Sequence, residues 1–479
     1  MQGDNSLFTR LNSFRFVPIL IFCLLQGVPA WAEFSLWEIV ANRQSKTVCS
    51  GVFISGRTVE DILLNDLDVP KPETVKIEVD RENLTVTVRL ADGYTSTAIY
   101  RPECGCTNLL DQSEISVRSH PTDTIPVLPP RSESALWPKG EGVTKPDKSL
   151  GIDKRKMRKA LDKAFEEPFD NDKLIRGTRG VAVIYDGQLV AERYAPGYSK
   201  DTPIIAWSMT KSIVSSLVGI LVKQGKLDIY QPAPVPEWQD SSDPRHAITT
   251  DQLLRMSSGL KFTEEYSPQL VDVVVMLYGH IDVGRYAASL PMNAKPDEKW
   301  YYSSGTTNIL SRILRQQLGD HATYLAFPNK ELFNKLGMHR TILEPDASGT
   351  YVGSSYCYTT PRDMARFGQF LMQDGVWEGE RILPEGWVAY STTPTPKNPR
   401  GEYGAQLWLN RGEPGNPENR RWPQLPLDAY GFSGFEGQSV AIIPSRNAVI
   451  VRMGRTSGGV KAWSQGEFMG NVLKALPKE

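Results

Sequence analysis

Residues 151–479 carry β-hairpin patterns near both ends and helical patterns between them, which strongly limits the available folds. The first hairpin pattern covers residues 180–191 and has at its centre an Asp-Gly dipeptide, which favours a type I′ turn. The second covers residues 439–453. Two hairpins so far apart along the chain predict an α+β domain. Its antiparallel sheet is completed by distant segments, and helices pack on its faces.

The chain of 479 residues is longer than one hydrophobic core usually serves, so we expect more than one domain. Alternating apolar residues at Val75, Ile77 and Val79 predict a hairpin in a small β-rich domain over residues 33–116. Six prolines in residues 117–150 predict an extended linker or a segment draped on a neighbour. Residues after this linker form the second, larger domain.

The N-terminus has the pattern of a secretory signal peptide. Arg10 and Arg15 precede an apolar run, and Ala30 and Ala32 are small residues suited to cleavage. We expect a signal peptide over residues 1–32, cleaved after Ala32, and therefore an exported protein, periplasmic or secreted. An uncleaved membrane anchor is the alternative, although the run is shorter than the roughly 20 residues of a spanning helix.

The charged residues are balanced, with 54 Lys and Arg against 55 Asp and Glu, so no basic excess favours nucleic acid. Export permits disulfides, and we expect a bridge from Cys49 to either Cys104 or Cys106. The Cys-Gly-Cys spacing is too short for a zinc-type pair and no histidine cluster accompanies it. The sequence therefore predicts no metal.

A Ser-x-x-Lys tetrad, from Ser208 to Lys211, opens a segment with the apolar spacing of a buried helix. Residues three apart share a helix face, so the lysine can reach the serine hydroxyl and act as its base. The tetrad alone is weak evidence, because the same spacing recurs from Ser258 to Lys261 in a stretch typical of a turn. Its context must decide.

Further motifs follow in order. They are Ser208-Met-Thr-Lys-Ser212, Leu253-Leu-Arg-Met-Ser-Ser-Gly-Leu260, Trp300-Tyr-Tyr-Ser-Ser-Gly305, Thr360-Pro-Arg-Asp-Met-Ala-Arg-Phe-Gly368 and Gly434-Phe-Glu-Gly-Gln438. With these landmarks the chain resembles the serine β-lactamase-like hydrolases, nearest to class C β-lactamases, their esterase relatives and the 6-aminohexanoate-dimer hydrolases. The resemblance implies a β-lactamase/transpeptidase-like fold, with a sheet flanked by helices and a helical subdomain.

The resemblance also implies roles for residues. Tyr302 matches the family tyrosine that relays a proton together with the lysine, so Ser208, Lys211 and Tyr302 are the expected catalytic residues. Ser304 stands where class C enzymes have Asn. The 6-aminohexanoate-dimer hydrolases resemble this chain in having Ser at that position. This departure points away from a dedicated β-lactamase, and Ser304 is expected to contact the substrate.

The family's third motif, Lys-Thr-Gly or His-x-Gly, matches Phe435-Glu436-Gly437. No cation stands at its first position, which argues against strong turnover of penicillins. The resemblance gives Glu436 and Gly437 contacts to substrate. It also implies an oxyanion hole formed by the backbone N–H groups of Ser208 and Gln438.

The predicted reaction is acyl transfer from a small-molecule amide or ester to Ser208, followed by hydrolysis, with no metal or organic cofactor. One alternative is a D-alanyl-D-alanine-type peptidase acting on cell-wall peptides, with the same three residues. Another is a non-catalytic penicillin-binding-type sensor or envelope scaffold whose N-terminal domain holds an envelope partner. The N-terminal sequence favours no particular role.

Overall fold

The computed structural model describes residues 34–67, 74–129, 131–143, 150–168, 175–265, 270–457 and 462–477. The predicted signal peptide, residues 1–32, lies outside these ranges. Within them, no helix combines the length and the apolar content that crossing a bilayer requires.

The N-terminal elements form a sheet covered by a helix. They are α1 (Leu36–Phe53), α2 (Val59–Asn65), β1 (Val75–Asp80), β2 (Thr85–Leu90), β3 (Thr95–Arg101), β4 (Gly105–Asn108) and α3 (Glu114–Arg118). The strands pair antiparallel in the order β1-β2-β3-β4, which confirms the predicted hairpin. A disulfide between Cys49 of α1 and Cys106 of β4 is one of the two predicted pairings.

The strand-like interpretation of residues 33–116 is wrong for their first part, which forms α1 and α2. Ser35 caps α1 by accepting a hydrogen bond from the Trp37 N–H. Polar residues of α1, including Asn42 and Lys46, are buried beside apolar ones because residues distant in sequence pack against them. The helix therefore lacks the clean apolar stripe by which an amphipathic helix is predicted.

The remaining elements belong to the larger region. They are α4 (Lys154–Phe165), β5 (Thr178–Tyr185), β6 (Gln188–Tyr194), β7 (Ile204–Ile205), α5 (Thr210–Lys223), α6 (Thr250–Leu254), α7 (Asp272–Gly279), α8 (Val283–Ser289), α9 (Ser304–Leu318), α10 (His321–Pro328), α11 (Asn334–Leu336), β8 (Ile342–Leu343), β9 (Cys357–Thr359), α12 (Pro361–Met372), β10 (Val376–Trp377), β11 (Glu380–Arg381), α13 (Trp387–Ser391), β12 (Trp408–Leu409), β13 (Tyr430–Gly434), β14 (Gln438–Ile443), β15 (Ala448–Gly454) and α14 (Gln465–Leu473).

An antiparallel sheet of six strands organises this region in the order β12-β13-β14-β15-β5-β6. The distant hairpins are thus neighbours, because β15 pairs with β5. Along β5, Val181 and Val183 join the core under α4 and α14, whereas Ala182 and Ile184 join the larger core that contains α5 and α12. Side chains of a strand alternate between faces, so both faces of the sheet are covered by helices. The predicted α+β class is confirmed.

Candidate active site

Ser208 lies in a single 3-10 turn, Trp207–Met209, directly before the buried helix α5. Trp207 has a φ of 49°, a left-handed backbone conformation that is uncommon outside glycine. Its indole Nε1 donates to Glu436 Oε2 over 3.0 Å, which anchors the ring to the loop after β13. The turn therefore presents the serine at the N-terminus of α5, whose dipole favours negative charge.

Lys211 is buried beside the serine and has three acceptors around its amine. Its Nζ lies 3.0 Å from each of Ser208 Oγ, Ser304 Oγ and the Ser354 carbonyl oxygen. Burial lowers the pKa of Lys211 to about 8, although the charge of Glu264 opposes this shift. A lysine with this pKa is readily deprotonated and can then accept the proton of Ser208.

Tyr302 completes the cluster. Its hydroxyl interacts with the Ser208 side chain, and Lys211 Nζ lies 5.0 Å from the centre of its ring. Burial raises the Tyr302 pKa, and the charge of Glu264 raises it further, so the phenol keeps its proton. Trp408 stacks on Tyr302 with ring centroids 5.3 Å apart. The fold thus brings the three predicted catalytic residues together.

Glu264 is a polar residue of the site that belongs to none of the sequence motifs. Its carboxylate accepts from the Ser304 backbone N–H at 2.7 Å and from the Ser304 hydroxyl at 2.6 Å. Burial raises the Glu264 pKa, while the positive charge of Lys211 opposes the rise. Glu264 follows the Ser-Gly-Leu turn that ends at Leu260, but a single carboxylate there matches no motif.

Ser304 was expected to contact the substrate. In the structure its side chain is fully buried, and its hydroxyl bridges Lys211 and Glu264. This arrangement suits a residue that positions the lysine more than one that lines an open cleft.

The end of β13 lies against the turn of the nucleophile, and the glycine at this contact is Gly434, not Gly437, the glycine that the family resemblance places at the substrate. A Cβ added at Gly434 would overlap the Ala206 carbonyl oxygen and lie 3.1 Å from Trp207 Cβ. At Gly437 an added Cβ would instead meet the Arg452 guanidinium at 2.7 Å. Gly434 is thus the glycine that allows close approach to the nucleophile.

This placement affects the oxyanion hole. Gln438, the predicted donor, starts β14, and its buried side chain hydrogen-bonds the Gly454 backbone as donor and as acceptor. Phe435, the residue after Gly434, packs its ring edge-on against Trp207 with centroids 5.7 Å apart. The role of Gln438 stays a prediction, and the geometry adds the Phe435 N–H as a second candidate.

Comparisons with known proteins point to one family. The family model described as Beta-lactamase matches residues 163–465. The chain belongs to the β-lactamase family. This membership establishes the β-lactamase-like fold and places the chain among the serine hydrolases of that fold.

Individual relatives of this family member are distant. A 6-aminohexanoate-dimer hydrolase from Paenarthrobacter ureafaciens is 24% identical over 304 residues, covering 58% of this chain and 72% of that protein. A Bacillus anthracis protein provisionally named 6-aminohexanoate-dimer hydrolase superposes with a TM-score of 0.52 at 20% identity, covering 78% of this chain and 97% of that one. A family VIII carboxylesterase superposes with a TM-score of 0.52 at 15% identity, covering 70% of this chain and 98% of that one.

Two further features concern the surroundings of this β-lactamase-family site. Glu436, predicted to contact substrate, accepts from Trp207 and from Arg455 Nε at 3.1 Å, and burial raises its pKa. A cavity of about 750 Å³ opens beside the loop of Phe435, Glu436 and Gly437.

Across the described ranges, no group of three His, Cys, Asp or Glu side chains is arranged to hold a metal ion.

Proposed function

We propose that the chain is a serine hydrolase that cleaves an amide or ester bond through an acyl-enzyme on Ser208. The observation that carries the proposal is the 3.0 Å contact between Ser208 Oγ and Nζ of the buried Lys211. A serine hydroxyl is a weak nucleophile unless a base removes its proton. The lowered pKa of Lys211, about 8, makes the neutral amine accessible near physiological pH.

In the proposed acylation, Ser208 Oγ bonds to the carbonyl carbon while its proton passes to Lys211. Tyr302, protonated because its pKa is raised, donates a proton to the leaving amine or alkoxide and regains one from the lysine. Backbone N–H groups of Ser208 and of Phe435 or Gln438 stabilise the oxyanion. A water molecule then adds to the acyl-enzyme by the same proton route and releases the acid.

The proposed substrates are linear esters or amides more than β-lactams. Similarity to a 6-aminohexanoate-dimer hydrolase and to a carboxylesterase supports this preference. In penicillin-recognising relatives a cation on the strand beside the nucleophile helps to hold the substrate carboxylate. Here the first position of the motif is Phe435 if the motif glycine is Gly437, and Phe432 if it is Gly434. Neither residue supplies a cation.

We also propose that the protein is exported. The pairing of Cys49 with Cys106 supports this, because disulfides persist mainly in oxidising compartments. N-terminal sequencing of the chain recovered outside the cytoplasm, with Glu33 as the expected first residue, tests both export and the cleavage site.

The hydrolase proposal is tested by intact-protein mass after exposure to a fluorophosphonate, combined with turnover of short-chain p-nitrophenyl esters. Ser208→Ala should lose both the adduct and the turnover. Ser258→Ala is the matched control, since Ser258 begins the second Ser-x-x-Lys tetrad, and it should keep both. A folded wild-type chain that forms no adduct would contradict the proposal and favour the non-catalytic alternative.

A further inference from the structure

The Ser354 carbonyl, which accepts a hydrogen bond from the Lys211 amine, belongs to a buried loop. This loop covers residues 344–356 and joins the short paired strands β8 and β9. All of its residues except Ser348 are buried. The backbone groups of a buried loop must find their partners inside the protein. The position of the Ser354 carbonyl therefore depends on the residues that hold this loop.

Glu344 holds the part of the loop that carries Ser354. Its backbone N–H donates to the Tyr356 carbonyl at 2.8 Å, and its own carbonyl accepts from the Val352 N–H at 3.0 Å. These two bonds hold the chain on both sides of Ser354. Between them, the Ser354 carbonyl oxygen lies 3.0 Å from Lys211 Nζ. A displacement of Glu344 therefore moves an acceptor of the lysine.

The N-terminal region, residues 36–118, binds the Glu344 side chain. The carboxylate accepts from Ser50 Oγ at 2.8 Å, from the Cys106 backbone N–H at 2.6 Å and from Lys46 Nζ. Two of these donors belong to α1 and the third to β4, and the disulfide joins the same two elements. The carboxylate is completely buried, so these donors take the place of water and determine where it lies.

A second contact from the N-terminal region reaches the next residue of the loop. Thr107 Oγ1 donates to the Pro345 carbonyl at 2.9 Å. At the other end of the loop, Lys46 Nζ lies 4.4 Å from the centre of the Tyr356 ring. All of these N-terminal residues precede the part of the chain that the family model matches. The region therefore adds to the family fold a support for the loop that carries Ser354.

We propose that Glu344 is a positioning residue for the proposed reaction, and that the N-terminal region acts through it to hold the Ser354 carbonyl against the Lys211 amine. The inference rests on the proposed hydrolase function and adds to it a role for the region that precedes the family domain. The route is a continuous series of contacts, from α1 and β4 through Glu344 to Ser354 and then to the lysine.

The Ser354 carbonyl matters because the Lys211 ammonium has three N–H donors. Ser208 Oγ, Ser304 Oγ and the Ser354 carbonyl accept one each. A hydrogen bond to the charged form of a group favours that form, so loss of the Ser354 carbonyl should lower the Lys211 pKa. The amine would also be held less firmly toward Ser208, so turnover should fall. A purely structural role of the region would reduce stability and leave the Lys211 pKa unchanged.

The test is an NMR titration of the full mature chain, isotope-labelled at the lysine ε-carbons, which measures the Lys211 pKa without turnover. The Lys211 signal is identified by its absence from the spectrum of Lys211→Gln. Thr107→Val removes the hydroxyl that binds the Pro345 carbonyl. It should lower the Lys211 midpoint by on the order of half a pH unit and reduce kcat for a p-nitrophenyl ester severalfold. Thr107→Ser keeps the hydroxyl and should return both values toward wild type.

Thr87→Val is the matched control for Thr107→Val. It removes a threonine hydroxyl from the same sheet, where that hydroxyl bonds to Thr97 of the neighbouring strand. Its Lys211 midpoint should equal that of wild type, even if its free energy of unfolding falls as much as that of Thr107→Val. Glu264, whose charge also acts on Lys211, is unchanged in both variants.

Two further variants act on the same route. Ser50→Ala removes one donor from the Glu344 carboxylate and should also lower the Lys211 midpoint. Asn308→Ala acts from the other side of the loop, because the Asn308 side chain pairs with the Ser354 N–H and hydroxyl, each at 3.1 Å. It should shift the midpoint in the same direction. Asn308→Ala combined with Ser50→Ala should give a shift that differs from the sum of the two, as expected for residues that act on one carbonyl.

A wild-type midpoint in both Thr107→Val and Ser50→Ala would overturn the inference, as would an upward shift or an equal shift in Thr87→Val. A chain whose midpoint moves as expected but which forms no fluorophosphonate adduct would contradict only the hydrolase proposal. Normal adduct formation with an unmoved midpoint would contradict only the role of Glu344 and the N-terminal region.

Discussion

Lys211 sets the expected pH dependence of the proposed reaction. Burial lowers its pKa to about 8, and only the neutral amine accepts the Ser208 proton. We therefore expect kcat/KM for a p-nitrophenyl ester to rise with pH, about tenfold per unit well below pH 8, and to level off above it. Initial rates between pH 6 and pH 10, corrected for spontaneous hydrolysis, measure this profile. A profile that is flat across pH 8 in wild type would contradict the assignment.

Glu264 should tune this midpoint, because its negative charge raises the Lys211 pKa. Glu264→Gln removes that charge and should move the kinetic midpoint to lower pH. It also replaces the carboxylate that accepts two hydrogen bonds from Ser304, so kcat should fall as well. Glu265→Gln is the matched control, since Glu265 is the exposed neighbour, and its midpoint should equal that of wild type. A midpoint that moves upward in Glu264→Gln would refute this electrostatic role.

At the scale of single residues, the sequence predicts the site residues that belong to motifs and misses those that do not. Ser208 and Lys211 are three apart on one turn, so their contact follows from helix geometry. Tyr302 is far along the chain and could be placed only through the family resemblance. Glu264 reaches the site because the chain after Leu260 folds back to the start of α9, a tertiary contact that no local spacing encodes.

At the scale of elements, β13 must lie close to the turn of the nucleophile for the oxyanion hole to form. Gly434→Ala adds a methyl group that overlaps the Ala206 carbonyl, so β13 or the turn must shift. Loss of an oxyanion donor typically costs about 10²- to 10³-fold in kcat, and we expect a loss approaching that range. Ester turnover and the thermal midpoint should be measured together. A large loss of turnover with a nearly unchanged midpoint supports the local effect, and unchanged turnover contradicts it.

Hairpins were predictable because their signals are local. Both Asp186 and Gly187 have positive φ, at 48° and 69°, as the Asp-Gly turn requires. Helix α1 was not predictable in the same way, because tertiary partners bury Lys46 and Asn42 on it. Ser35 followed by Glu38 is a capping signature that could have indicated its start.

At the scale of the whole molecule, α1 is tied to the larger region through a buried ion pair. Lys46 Nζ donates to Glu344 Oε2 and to Ser50 Oγ, and the Glu344 carboxylate also accepts from the Cys106 backbone N–H. Burial lowers the Lys46 pKa, and the neighbouring Glu344 opposes that shift. Since α1 also supplies Arg43 to the cavity beside the loop of Phe435, Glu436 and Gly437, a displaced α1 should affect both the stability of the chain and the lining of that cavity.

Lys46→Met tests this coupling, because it leaves the Glu344 charge buried without its cation. Breaking one side of a buried pair typically costs about 3–5 kcal/mol, and we expect a loss of that order in urea unfolding. Lys46→Met combined with Glu344→Gln removes both charges and should recover much of the loss. Arg89→Met, which breaks an exposed pair with Glu78, should change the unfolding free energy by no more than about 1 kcal/mol. A Lys46→Met chain as stable as the Arg89 variant would mean that α1 is docked by its apolar contacts, and that the ion pair specifies rather than stabilises its position.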